Sequence, residues 1–513
     1  MSEAAAMLPD DEFNRQLLAN VHPPDWRNPD PSGPYNLVVV GGGTAGLIAA
    51  SVAGSMGART ALIEQHLLGG DCLNVGCVPS KGIIRGARAQ AEIDWITAEG
   101  LAAQRIGGGV DFSAVMERLR RIRAEISRHD GAARYRDEFG VDIFLGHGSF
   151  SGPREISVQG TDGTASTLAF SRALIATGAR AAAPPINGLE TTPYLTNETL
   201  FSLTRLPASL IIVGAGPIGC EMAQSFSRLG ARVELVEMAS RVLPREDPDA
   251  AQVVQQALER DGVELHLSAA VSSVTGDTGR VAITYTTAGD NPVTVEAEQL
   301  LVAIGRKPNL DGLGLDRAGV TSHPRGVVVN DFMQTSNRRI YAAGDIASPY
   351  QFTHMAEAAA AIVVQNALFV RSARMSRLVV PWSTYTSPEL ARLGLSEHEA
   401  QEQDIEVDIY RHELGGVDRA RLDGQMDGFV KILTRKGSTR ILGAAVVAEH
   451  AGEMIGELVL AMRKGLGVDD LAGVIHPYPT QAEAIKRAAA GYLRSRLTPR
   501  RRRLLQRWFR LRR

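Results

Sequence analysis

Apolar residues fall in short runs along this chain, and two of those runs are followed by the same spacing of glycines. In "YNLVVVGGGTAGLIAASVAGSMGARTALIEQ" the run Leu37–Val40 has the length of a buried strand. Gly41-x-Gly43-x-x-Gly46 follows, then an alanine-rich stretch of helical character, then "TALIE" ending in Glu64. The stretch "LIIVGAGPIGCEMAQSFSRLGARVELVE" repeats the pattern with Gly214, Gly216, Gly219 and Glu237. Gly41 to Glu64 is 23 residues, and so is Gly214 to Glu237. A single such spacing is weak in a chain with 52 glycines; two, each with an acid at the same distance, are not. This is the β–α–β dinucleotide fingerprint: the glycines permit a tight turn and close backbone approach to a pyrophosphate. The helix N-terminus then supplies N–H groups for phosphate, and the acid can accept from a ribose diol. Two sites suggest two different dinucleotides. A carboxylate at Glu237 favours the free 2′-hydroxyl of NADH over the 2′-phosphate of NADPH. Arg241 lies close enough in sequence to blur that preference, so both remain open with NADH favoured.

Elsewhere "GFVKILTRKGSTRILGAAVVAEHAGEMIGELVLAMRKG" alternates apolar residues and glycines, then turns to helical spacing. It predicts two or three antiparallel strands and a helix, an α+β unit. The region Arg85–Arg136 predicts two helices with a loop. The proline-rich "VHPPDWRNPDPSGP" marks residues 1–35 as an extended lead-in. At the other end, in "RLTPRRRRLLQRWFRLRR", Leu504, Leu505, Trp508 and Phe509 share one helical face among arginines. That pattern suits a helix lying on an anionic membrane surface through Arg500–Arg513. A solvated basic tail, or one touching RNA or an acidic protein, is the alternative.

Composition narrows the chemistry. A chain of 513 residues has room for about two to four domains. Its net charge of −2 gives no reason to expect a specific nucleic-acid partner. Three cysteines cannot build a disulfide framework and suit a reducing cytoplasm. Residues 1–34 contain no apolar signal core, and no apolar run reaches the roughly 18–20 residues of a spanning helix. The expected location is therefore the cytoplasm, with peripheral contact at the inner membrane face open. Two of the three cysteines, Cys72 and Cys77, sit in "GGDCLNVGCVPSK". A close pair in this setting is catalytic or metal-binding. No second Cys/His pair has ligand spacing, so no metal site is expected. Cys220, within the second glycine motif, reads as a small packed residue.

Together these motifs resemble the class I, FAD-dependent pyridine nucleotide-disulfide oxidoreductases, the family of glutathione reductase, dihydrolipoamide dehydrogenase and mercuric reductase. "LIATGARAAAPPI", "LVAIGRKPN", "IYAAGDIA", "STYTSPELARLGLSE" and "HPYPTQAEAIKRAA" fit in order, and the likeness covers residues 36–490. It implies an α/β enzyme with two Rossmann-like dinucleotide-binding domains, for FAD and NAD(P), plus a C-terminal α+β dimerisation domain. The FAD domain would take residues 36–185 and 301–375, the NAD(P) domain 186–300 and the interface domain 376–490, with 491–513 a basic amphipathic tail. A homodimer is implied, in which each C-terminal domain completes the other subunit's active site.

The resemblance also implies roles. Cys72 and Cys77 would form a redox-active disulfide, Cys77 against the flavin and Cys72 facing substrate. Lys81 would stand near the flavin, paired with Glu221. FAD would be held by Gly41, Gly43, Gly46, Glu64, Lys81, Gly148, Thr177, Gly178, Gly344 and Asp345. NAD(P)H would be held by Gly214, Gly216, Gly219, Glu221, Glu237 and Gly305. Dithiol-handling members carry a histidine five residues before a glutamate. Here Tyr478 stands five before Glu483, with His476 two residues earlier, where an extended loop could point it the same way. A tyrosine of ordinary pKa, about 10, is a poor base near neutrality. Tyrosine at this position, and "VDRARLDGQMDGFVKIL", are similar to mercuric reductases. Those enzymes end in a vicinal cysteine pair, whereas no cysteine follows Cys220 here. Three functions follow: an NAD(P)H oxidoreductase passing electrons through FAD and the disulfide to a metal ion or small-molecule acceptor; a dithiol–disulfide enzyme using His476; and a redox-gated flavoprotein that binds membrane or nucleic acid.

Overall fold

The computed structural model describes residues 7–31, 33–101, 109–287, 289 and 291–512. Tyr35–Val40 pairs in parallel with Thr60–Glu64 on one side and Ala165–Ile175 on the other. Val141–Gly152 extends the sheet beyond Thr60–Glu64. Its valines and leucines are buried on both faces, as a central parallel strand requires. The helix Thr44–Ser55 buries Ala45, Gly46, Ala49, Ala50 and Ala53. These small side chains let it lie close to the sheet and to the alanine-rich helix Thr353–Leu368.

The chain then leaves this sheet. Gln299–Val302, Ser209–Val213, Arg232–Val236 and Glu264–His266 form a second parallel sheet in that spatial order. The strand Ile340–Ala342 returns to pair with Ala165–Ile175, so the second sheet interrupts the first. Both Rossmann-like units expected from the glycine spacing are present. A five-stranded antiparallel sheet closes the chain, with Phe429–Arg435 and Ile441–Ala448 paired at its centre and the helix Ala451–Lys464 on its face. Lys431 of this sheet is 1% exposed and pairs with Asp247, Asp249 and Glu397. Two of those carboxylates belong to the second Rossmann unit, so a desolvated ammonium pins it against the third.

Two expectations need correction. The N-terminal segment is not extended throughout: Glu12–Val21 is a helix capped by Asp11, with Leu17 and Val21 fully buried. The prolines that suggested an extended chain lie after it, from Pro23 onward; residues 1–6 and 32 lie outside the described residues. Between Arg85 and Arg136 the chain forms Cys77–Ala98, Phe112–Ser127 and the start of a third helix, Ala132–Phe139. Residues 102–108 of the expected loop lie outside the described residues. The basic tail forms the helix Pro499–Leu511, with no buried residue.

Candidate active site

The helix Cys77–Ala98 begins at the second cysteine. Gly76 caps it without a side chain, so the first-turn N–H groups have no side-chain acceptor and Cys77 sits at the positive end of the helix dipole. Cys72 lies in the short helix Gly70–Asn74, entered through Gly69 at φ +90° and Gly70 at +56°. Those left-handed conformations are the reason for the two glycines there. Both cysteines are free thiols. Cys77 Sγ lies 3.4 Å from Thr353 Oγ1 and opens into a cavity of about 2070 Å³ shared with Cys72 and Lys81. A hydrogen bond from Cys72 pushes the Cys77 pKa down to about 6, aided by Thr353 and the Lys81 charge. Donating that bond, together with burial, pushes Cys72 up. The reduced pair is therefore one thiolate, Cys77, and one thiol, Cys72.

Lys81 follows one turn later. Its Nζ donates to Glu221 Oε2 at 3.1 Å and lies 4.3 Å from the centre of the Tyr385 ring. The Tyr385 N–H donates to Glu221 Oε1 at 2.9 Å, so both oxygens of this buried carboxylate are engaged. Burial alone would lower Lys81; Glu221 and Cys77 outweigh it and hold the amine above its ordinary value. A permanent cation thus stands beside the thiolate. In reduced protein, alkylation of Cys77 should rise through about pH 6 and level off, because the lowered pKa makes thiolate predominate above that point. Lys81→Met should move the midpoint toward the ordinary thiol value of about 8.5. Rates of iodoacetamide labelling against pH decide this, and an unmoved midpoint removes Lys81 from the account.

The two glycine turns are built alike. A Cβ on Gly46 would lie 1.8 Å from Gly41 O, and one on Gly219 1.8 Å from Gly214 O. The helices Thr44–Ser55 and Pro217–Arg228 start at Gly43 and Gly216 with no side-chain cap, leaving N–H groups for an anion. Glu64 accepts from Gly42 N and His66 N, each at 2.6 Å. Glu237 accepts from Ala215 N at 2.7 Å and Ala239 N at 2.8 Å. Both acids therefore brace the turn they follow. Arg241, which blurred the cofactor preference, donates to Pro244 O at 3.0 Å and does not line the cavity. The cavity that Cys77 opens into runs past Gly148, Thr177, Gly178, Gly305 and Gly344 and reaches Gly214, Gly216 and Glu237 in the other Rossmann unit.

Asp345 also lines this cavity, but it is tied to a residue that the sequence reading left without a role. Arg306 donates from Nε to Asp345 Oδ2 at 3.2 Å and from Nη2 to Asp71, the neighbour of Cys72. Arg306 lies in "GRKPN", so its motif was visible while its partners were not. Thr353 had no sequence signal at all; only the fold brings it to Cys77.

The C-terminal candidates separate. His476 is turned inward, its Nε2 2.9 Å from Glu457 Oε2 and its side chain 6% exposed. The two-residue period that would align it with Tyr478 belongs to strands, and this loop is not one. Tyr478 is 71% exposed and donates to Asp418 Oδ2 at 2.9 Å. That bond raises its pKa further, so still less phenolate is present near neutrality to act as a base. Glu483 is held by Arg487 at 3.0 Å, and its charge also acts on Tyr478. None of the three lines the cavity of its own protomer.

Residues 35–360 match the family model "Pyridine nucleotide-disulphide oxidoreductase", and residues 380–489 match its dimerisation domain. The chain belongs to this family. It is 35% identical to a mercuric reductase of Lysinibacillus sphaericus over 89% of this chain and 82% of that one. It is 33% identical to a dihydrolipoyl dehydrogenase of Bacillus subtilis over 88% and 97%. Its fold matches the copper(II) complex of the HOCl-induced flavoprotein disulfide reductase RclA of Escherichia coli, with TM-score 0.79, 27% identity, and coverage of 89% and 99%. The chain is thus a flavoprotein disulfide oxidoreductase; the family is FAD-dependent and uses NAD(P)H. The uncapped helix ends and glycine turns without room for a Cβ fit the two pyrophosphates. The dimerisation domain supports a homodimer.

Proposed function

We propose that this protein takes electrons from a nicotinamide held at Gly214–Gly219, NADH in preference to NADPH, and delivers them through the Cys72–Cys77 disulfide to a thiophilic metal ion. Bound FAD supplies the two-electron link between nicotinamide and disulfide. Lys81 keeps Cys77 charged, Cys72 meets the acceptor, and Tyr478 completes the partner subunit's site as a ligand-like hydroxyl rather than a base. The observation that carries this reading is the pairing of Tyr478 with Asp418 while His476 is buried on Glu457. Dithiol turnover needs a proton shuttle at that place, worth roughly 10²–10⁴-fold; metal reduction does not. The names of the mercuric reductases, and the copper complex of RclA, are consistent with a soft metal acceptor. NADH oxidation should therefore be faster with Hg(II) or Cu(II) than with lipoamide or glutathione disulfide. Tyr478→His should raise lipoamide turnover by about tenfold or more. Efficient lipoamide reduction by the unaltered protein would reject the reading.

We further propose that the basic tail holds the protein at an anionic membrane surface. The ten arginines of residues 491–513, with no acid among them, give that segment +10 and leave −12 on the rest of a chain of net −2. Leu504, Trp508 and Phe509 of the helix Pro499–Leu511 are all exposed. Among the described residues no helix is long and apolar enough to cross a membrane. A helix of this kind lies on an anionic surface, with apolar side chains inserted and arginines at the headgroups. The protein should sediment with phosphatidylglycerol vesicles and not with phosphatidylcholine alone, and Trp508→Ala with Phe509→Ala should release it. Equal sedimentation with both lipids, or none, would remove the proposal.

A further inference from the structure

The N-terminal helix Glu12–Val21 lies before the first residue matched to the family, yet it reaches the redox loop. The link is Arg123, 2% exposed, on the helix Phe112–Ser127. Its Nη1 donates to Asn74 O at 2.6 Å, and its Nη2 donates to Asn14 Oδ1 at 2.7 Å. Asn74 stands two residues after Cys72 and three before Cys77. Its amide donates to Leu68 O at 3.1 Å and Gly70 O at 2.8 Å, so it knits the loop to the turn that begins it. The end of the N-terminal helix closes the other side, where Val21 O accepts from Leu68 N at 3.3 Å. The nearby carboxylates are committed elsewhere: Asp11 pairs with Arg120, and Asp71 with Arg306. Arg123 makes no ion pair among the described residues; its two partners are neutral oxygens. Burial lowers its pKa to about 10, which leaves it charged at neutral pH.

A buried cation without a counter-ion is costly unless something nearby gains from it. We infer that Arg123, held in place by Asn14, is a positioning residue for the redox loop whose charge, with no ion pair of its own, favours the reduced Cys72–Cys77 pair. Reduction breaks the Sγ–Sγ bond and adds two electrons and one proton, leaving the Cys72 thiol and the Cys77 thiolate. The loop gains one negative charge, and Arg123, bonded to the loop at Asn74 O, is the cation that favours it in addition to Lys81. The electrons come from NAD(P)H through the family's FAD, so the inference rests on the disulfide being redox-active as proposed above.

Two variants separate charge from scaffold. Arg123→Met removes the cation. Asn14→Asp keeps the bond from Arg123 and the shape and supplies a counter-ion, giving up only the amide's 2.7 Å bond to Pro9 O, which Asn14→Leu gives up without adding charge. The FAD-loaded protein is equilibrated in dithiothreitol buffers of graded potential, and the thiols of Cys72 and Cys77 are counted by alkylation and mass spectrometry. Both variants should shift the balance toward disulfide by about tenfold, a midpoint lower by about 30 mV. Arg123→Lys should restore most of it. A midpoint that Asn14→Asp leaves unchanged overturns the inference, whatever Arg123→Met does to folding. Should the unaltered protein show no Cys72–Cys77 disulfide at any potential, the proposed function fails instead.

Discussion

Cys72→Ser should abolish transfer to the terminal acceptor, by on the order of 10³-fold or more, while NADH oxidation by an artificial dye acceptor survives. Loss of a nucleophile is among the largest single-residue effects in enzymes, because no neighbour can replace its bond-forming atom. Here the effect should be selective. Cys72 keeps the proton and is the member proposed to meet the acceptor, while Cys77 lies near Lys81, whose Nζ donates to Glu221, in the same cavity. The variant keeps Cys77 but removes its partner in the disulfide. Its hydrogen-bond donor is replaced by a hydroxyl, so the Cys77 thiolate should persist. The variant should show the long-wavelength absorbance of a thiolate against oxidised flavin before any NADH is added, and lose it as anaerobic NADH reduces the flavin. Equal loss of dye reduction would mean that Cys72 does more than face the acceptor.

Gly219→Ala should raise the KM for NADH about 10²-fold and leave flavin content unchanged. The added Cβ would stand 1.8 Å from Gly214 O, a backbone atom that can yield only by shifting the whole turn. The displaced N–H groups would lose charge-assisted bonds to pyrophosphate worth about 1.5–3 kcal/mol each, and 1.4 kcal/mol is tenfold in affinity. The turn proposed for FAD has its own glycine in the same role, Gly46, in a different sheet. Gly46→Ala should therefore give the opposite result, protein purified with little flavin. Nucleotide titrations and the flavin-to-protein ratio test both together. Loss of flavin from the Gly219 variant would contradict the separate assignment of the two turns.

The parts readable in residue order were those whose chemistry is local. A turn that must carry phosphate within a few residues of a strand end needs glycines at set positions, so both Rossmann units and their acids appeared as spacing. Cys72 and Cys77 lie five residues apart, so their pairing was visible in residue order. Other features depend on residues distant in sequence. Thr353 reaches Cys77 across 276 positions, and Arg306 reaches Asp71 across 235. His476 and Tyr478 are two apart, yet one is buried on Glu457 and the other exposed on Asp418. Nothing in the loop decides between those fates; the packing of the helix Ala451–Lys464 and the segment Asp418–Leu422 does. The N-terminal helix was hidden for the same reason. Its amphipathic pattern is short, and its meaning lies in Arg123 and Asn74, which only the folded chain brings to it. Local backbone geometry is written in neighbouring residues, whereas a charge and its partner meet only when burial of the core brings distant segments together.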